Sequence, residues 1–240
     1  MFVVGICTLG DSGDDEARAL AALVGGHPYE MRLKLAQPVP IVLFRTSDPQ
    51  AAAKLANDLR ARGHDAVALD EDAIAEPFVV RDFRLGETSL ECGDGALAYG
   101  EVLALVRAAI TIDTERVARF TERKLRPGAA IVTGGLVMTK KVTREEKHTT
   151  HDREELLYIF RGAGGRAWLL SERAAVYAAL EGVARTQREN FTRVAGELRA
   201  RAPAAWDERL LSYKQITDRR ELDLRAHMIA IAAVRKLAYR

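Results

Sequence analysis

Hydrophobic and polar positions along this chain follow two rhythms, and roughly the first seventy residues show both. Residues 2–8 are apolar and β-rich, and Gly10-Asp11-Ser12-Gly13 ends them with turn chemistry. Asp14 or Asp15 then caps a helix whose apolar positions, Ala19, Leu20, Leu23 and Val24, recur at helical spacing. Gly25 suits a left-handed C-terminal position, and Pro28 restarts the chain in a first turn, where its missing N–H costs nothing. Met31, Leu33 and Leu35 belong to this second short helix, which Pro38 and Pro40 end. The continuous apolar run Ile41-Val42-Leu43-Phe44 predicts a strand covered on at least one face. Ser47 or Asp48, with Pro49 behind it, opens a helix striped by Ala52, Leu55, Ala56 and Leu59, with Lys54, Arg60 and Arg62 outward. Gly63 ends it, and Ala66-Val67-Ala68-Leu69 predicts a returning strand. The order is strand, helix, helix, strand, helix, strand.

That order, with Gly25-Gly26-His27-Pro28-Tyr29-Glu30-Met31-Arg32 between its helices and Gly63-His64-Asp65-Ala66-Val67 after its last one, resembles the C-terminal domain of the bacterial ribosomal stalk protein over residues 2–70. The resemblance implies a docking module that recruits a partner through basic side chains on its first two helices. Arg18 and Arg32 stand at two such positions. Ala21 stands where a further basic residue is expected, and Tyr29 where a lysine is common, so the resemblance carries the fold and docking but not the partner. A receiver-like or small-ligand regulatory βαβ domain is the rival fold.

Beyond a linker at residues 74–77 the rhythm shortens. Residues 78–85 and 88–92, about a turn at Gly86-Glu87, predict a hairpin, while residues 97–107 fit helix or strand. Residues 129–133 suggest another strand, and the charged residues 140–155 an exposed loop. Residues 156–160 and 167–170 flank Gly162-Ala163-Gly164-Gly165 as a hairpin with a flexible tip. Thr186-Gln187-Arg188-Glu189 is a capping box for a helix over 187–202, striped by Phe191, Val194, Ala195 and Leu198. Short strands closed by an amphipathic helix resemble a pleckstrin-homology-like domain over residues 78–202, by order of elements alone. A last helix over 219–238 follows the box-like Asp218-Arg219-Arg220-Glu221, with Leu222, Ile229, Ala233 and Leu237 as its stripe. Arg219, Arg220, Arg225, Arg235, Lys236 and Arg240 give it a basic surface, which suits a helix packed on the second domain, a partner helix or an anionic membrane surface. The expectation is an α+β protein with an N-terminal domain over 1–73 and a mostly antiparallel β domain over 78–240.

The 240 residues carry a net charge of +2, which argues against a dedicated nucleic-acid binder. Cys7 and Cys92 form no CxxC pair, which points to a reducing cytoplasm, and no apolar run is long enough to span a bilayer. Gly10-Asp11-Ser12-Gly13 spells a serine-protease motif, but no histidine precedes it to serve as a base in that arrangement, so it reads as a turn. His148 and His151, with Asp152 and Glu154, are the candidate metal ligands, weighed against a solvated loop. His27 and His64 sit at helix boundaries and suit capping or packing. No phosphate loop or dinucleotide fingerprint is present. The reading is a non-enzymatic cytoplasmic protein-binding or adaptor protein without cofactor, with Arg18, Tyr29 and Arg32 as contact residues and homo-oligomerisation open. The alternatives are a metal-dependent enzyme using the His148–His151 loop and a small-ligand regulatory protein.

Overall fold

A computed structural model describes residues 1–93, 95–125, 139–162, 165–213 and 216–238, with side chains left out over 113–151 and 237–238. The chain divides into two compact units, residues 1–110 with 154–240, and residues 111–153. The anticipated linker at 74–77 lies inside the first unit, where Arg166 donates to the carbonyls of Glu76 and Pro77. The described residues of the second unit are the remaining lengths of two long strands, β8 (Val102–Leu125) and β9 (Thr139–Arg161). The fold is α+β.

The opening elements form in the expected order: β1 (Phe2–Thr8), α1 (Asp14–Val24), α2 (Pro28–Leu35), β2 (Ile41–Thr46), α3 (Pro49–Ala61) and β3 (Asp65–Asp70). The strands make one antiparallel sheet in the order β2-β1-β3. Gly25 ends α1 in the left-handed conformation at φ 70°, and Asp48 accepts the Gln50 N–H at the start of α3. Side chains alternate across β1, and both faces are buried. Val4 and Ile6 pack with Leu20, Met31, Leu55 and Leu59 of the three helices. Val3 and Cys7 pack with Val67 and with Leu224, Met228 and Ala232 of the last helix, α5 (Arg219–Ala238). Gly5 lies on that second face. A Cβ there would overlap Met228 and approach the Ile41 carbonyl oxygen to 2.7 Å, so glycine is what lets α5 close onto the sheet.

The later strands form a five-stranded mixed sheet, β11-β8-β9-β10-β4, and a three-stranded antiparallel one, β5-β6-β7. Here β4 is Phe78–Val80, β5 Arg84–Leu85, β6 Ser89–Cys92, β7 Gly95–Ala98, β10 Trp168–Ser171 and β11 Ala205–Leu210. The hairpin about Gly86 forms between β5 and β6, but residues 78–80 leave it to run parallel to β10. The expected hairpin of residues 156–160 with 167–170 forms between β9 and β10. The capped helix is α4 (Gln187–Arg201), where Glu189 N–H donates to Thr186 Oγ1 at 3.2 Å and the Glu189 carboxylate accepts from Thr186 N–H. It covers a core containing Leu105, Leu157, Ile159, Trp168 and Leu170.

Two expectations need correction. Residues 140–155 are not a loop: they belong to β9, whose backbone pairs with β8. Backbone pairing places no demand on side-chain polarity, so a dense charge run does not exclude a strand. The basic side chains of the last helix are in part taken up within the protein, while Arg220 and Lys236 remain exposed. Arg225 is buried, with Glu221, Tyr213 and the Pro40 carbonyl as partners, Arg219 is paired with Asp223, and Arg235 with Asp65. The expected strand at 129–133 lies outside the described residues.

Candidate functional site

From Leu222 to Ala230 nearly every α5 residue is buried, because the helix lies between two sheets. One side meets β1 and β3, as above. The other meets β9: Tyr158 donates to Asp223 Oδ1 at 2.5 Å, and the Phe160 ring stands edge-on to His227 with centroids 4.9 Å apart. Toward the ends of the helix, two hollows open beside the segment at Ile74 and Ala75.

The hollow at the N-terminal end, about 820 Å³, is lined by Glu71, Asp72, Ser171, Arg219, Arg220 and Asp223 among others. Most of its charges are matched within the protein. Arg219 Nε lies 3.0 Å from Asp223 Oδ1, Glu71 is bridged by Arg45 at 3.3 Å, and Asp72 holds the N-terminal ammonium. Burial pushes the Tyr158 hydroxyl well above its ordinary pKa, so it stays protonated as the donor to Asp223.

The hollow at the C-terminal half, about 570 Å³, is different in kind. Leu69, Ile74, Leu103, Phe160, Ile231 and Val234 make apolar walls. Ile231 and Val234 keep 39 % and 37 % of their surface exposed, although α5 is buried over most of Leu222 to Ala230. His227 also lines it. Its Nδ1 lies 2.8 Å from the Asp223 carbonyl oxygen, which only accepts, so Nδ1 carries the proton and Nε2 presents a lone pair. Burial holds the His227 pKa below its ordinary value, so the ring is neutral at pH 7. Arg161, Arg166 and Arg235 complete the wall, with Asp70 as its one acid. Arg235 donates to the Ala66 carbonyl at 2.7 Å and pairs with Asp65, whereas Arg161 has no acceptor among the described residues. Among the described residues the chamber combines apolar walls, a cationic rim and one neutral imidazole.

The residues anticipated for docking lie on α1 and α2. Arg18 pairs with Asp15 and Arg32 Nε lies 3.3 Å from Asp14 Oδ1, both exposed. Tyr29 is 63 % exposed, and Leu33, one turn later, 52 %. His27 accepts from the Tyr29 N–H and caps α2. His64 is buried. Gly10 N–H donates to its Nδ1 at 3.1 Å, so Nε2 carries the proton and donates to Glu16 at 2.9 Å. Asp11 accepts from the N–H groups of Ser12 and Gly13, so the serine-protease-like tetrapeptide is a turn. The side chains of His148 and His151 lie outside the described residues, on a backbone that is strand. Among the described residues no group of three or more His, Cys, Asp or Glu side chains is placed to hold a metal ion, and no helix is long and apolar enough to cross a membrane.

Sequence reasoning did not single out His227, Arg161 or Arg166. A lone histidine in a helix and two arginines beside a turn give no spacing signal, because their neighbours in space come from β3, β8 and α5. Comparison of the chain with protein-family models, with curated proteins and with solved structures gave no match.

Proposed function

We propose that the protein is a binding protein whose small-molecule site is the apolar chamber along α5, in keeping with a small-ligand regulatory role. The supporting observation is a chamber of about 570 Å³ whose apolar walls leave Ile231 and Val234 uncovered. A body filling it removes this surface from water, at about 25 cal/mol per Å² before the cost of association is subtracted. His227 favours binding over catalysis, because its hydrogen-bond partner among the described residues is a backbone carbonyl. Nothing there orients the ring against a nucleophile.

Nile red, a neutral dye that brightens in apolar surroundings, tests this on the full chain. Wild-type protein is expected to bind it with one site and to melt at a higher temperature in its presence. Ile231→Glu, at a position open enough to tolerate the charge, is expected to abolish both effects. Absence of binding, or binding indifferent to Ile231→Glu, removes the proposal.

Protein docking through α1 and α2, by Arg18, Tyr29 and Arg32, is a second reading. The observation favouring it is the pair Tyr29 and Leu33, large apolar side chains one turn apart and both more than half exposed.

A further inference from the structure

We infer that the chamber along α5 takes a ligand with an apolar body and a single carboxylate head, and that the Arg161 guanidinium receives the head. This rests on the chamber being a ligand site and adds the chemistry of what enters it.

The charges on the wall decide the head group. Arg235 is matched by Asp65, and Arg166 is turned onto the carbonyls of Glu76 and Pro77. Among the described residues Arg161 is left with no acceptor, and Asp70 lines the same chamber. With Asp70 held by the Met1 ammonium at 3.2 Å, the single guanidinium without an acceptor suits a singly charged anion better than a dianion and disfavours a cation. Arg161 is exposed, so the head sits at the mouth, partly hydrated, and the body lies among Leu103, Phe160 and Ile231. An amphiphile avoids the cost of burying an unpaired charge by this arrangement.

Gly165 places the guanidinium. A Cβ built on Gly165 would lie 2.9 Å from Arg161 Cζ, so the Arg161 side chain lies directly over this residue. No other residue type leaves that space. The atoms in the way are the far end of a flexible side chain, so Gly165→Ala displaces the guanidinium without deforming the sheet.

Titration calorimetry on the full chain, with straight-chain carboxylates of six to twelve carbons and the alcohols and amines of equal length, tests the inference. Affinity for the carboxylates is expected to rise about fourfold per methylene until the chamber is filled, the value of about 0.8 kcal/mol per buried CH₂. At equal length the carboxylate is expected to bind about tenfold more tightly than the alcohol, and the amine least tightly of the three. Arg161→Gln is expected to erase the carboxylate advantage and leave alcohol binding within twofold. Gly165→Ala, with Arg161 still present, is expected to reduce that advantage several-fold. Alcohols and carboxylates binding alike, or a carboxylate preference that survives Arg161→Gln, overturns the head-group assignment while the chamber remains a ligand site. No binding by any member of the three series overturns both.

Discussion

Glu16 shows at the scale of one residue how a polar contact holds the opening domain. Its carboxylate accepts from Arg62 Nε at 2.8 Å and from Arg62 Nη2 at 2.6 Å, while His64 donates to Oε1. The Arg62 hydrogen bonds draw its pKa down to about 2, against the opposing effect of burial and with further help from His64. A carboxyl lowered from 4.5 contributes stability that is fully present above that value and is lost as pH falls toward about 2. Glu16→Gln offers one oxygen where three donors converge and sets its own N–H groups against them. It is expected to lower stability by about 2 kcal/mol at pH 7, discounted for the half-open Arg62. Urea unfolding at pH 7 and pH 3 checks this: the gap between variant and wild type is expected to narrow at the lower pH. An equal gap at both values would mean that shape, not ionisation, carries the contact.

At the scale of elements, α1 and α2 put both signs of charge around an apolar pair. Asp14, Asp15 and Glu30 lie on these helices with Arg18, Arg32 and Lys34, and Tyr29 and Leu33 are uncovered. Under the docking reading, a face of mixed sign complements its own copy, so self-association about a two-fold axis is what that reading predicts. Exposed local ion pairs such as Arg18–Asp15 cost little to exchange. Tyr29→Ser with Leu33→Ser is expected to leave stability within about 0.5 kcal/mol, because neither side chain is buried. Sedimentation velocity is expected to show concentration-dependent association of the wild type and its loss in the double variant; a wild type that sediments as one species at all concentrations rules this docking out. These helices were legible in the sequence because their stops, Gly25, Pro28 and Pro38, are local signals. The strand over residues 140–155 was not, because its pairing with β8 leaves no apolar alternation to read. The last helix was legible as a helix but not as a central one. Burial on two sides removes the polar face that periodicity relies on, and Arg225 and Asp223 inside it find partners far away in the chain. Residues 205–210, which form β11, gave no strand signal, since Asp207 and Arg209 are satisfied by each other. The chamber was illegible for a related reason: its walls come from segments whose nearness is set by packing alone.

For the first unit as a whole, α5 makes two sheets one structure. Val3, Cys7 and Val67 are covered by Leu224, Met228 and Ala232, with Val42, Leu69 and Ile74 at the margin, and burial of each large apolar side chain among them contributes about 1.5–3 kcal/mol. On its far side the same helix is tied to β9 through Tyr158 and Phe160. The opening sheet therefore cannot lose α5 without baring its back face, and α5 cannot leave without opening contacts to β9. Cys7 reports the first event. It is fully buried, its Sγ lies 3.3 Å from the Met228 carbonyl oxygen, and burial pushes its thiol up to about 12, so it does not react while α5 is seated. Trp168 and Trp206 report the five-stranded sheet. In a Cys92→Ser variant, modification of Cys7 by a thiol reagent across a urea series is expected to follow the tryptophan fluorescence transition with the same midpoint, as one cooperative unit requires. Cys7 becoming reactive at urea concentrations where the tryptophans are still native would show the opening sheet to be a separate folding unit, and α5 to be seated on it only in part.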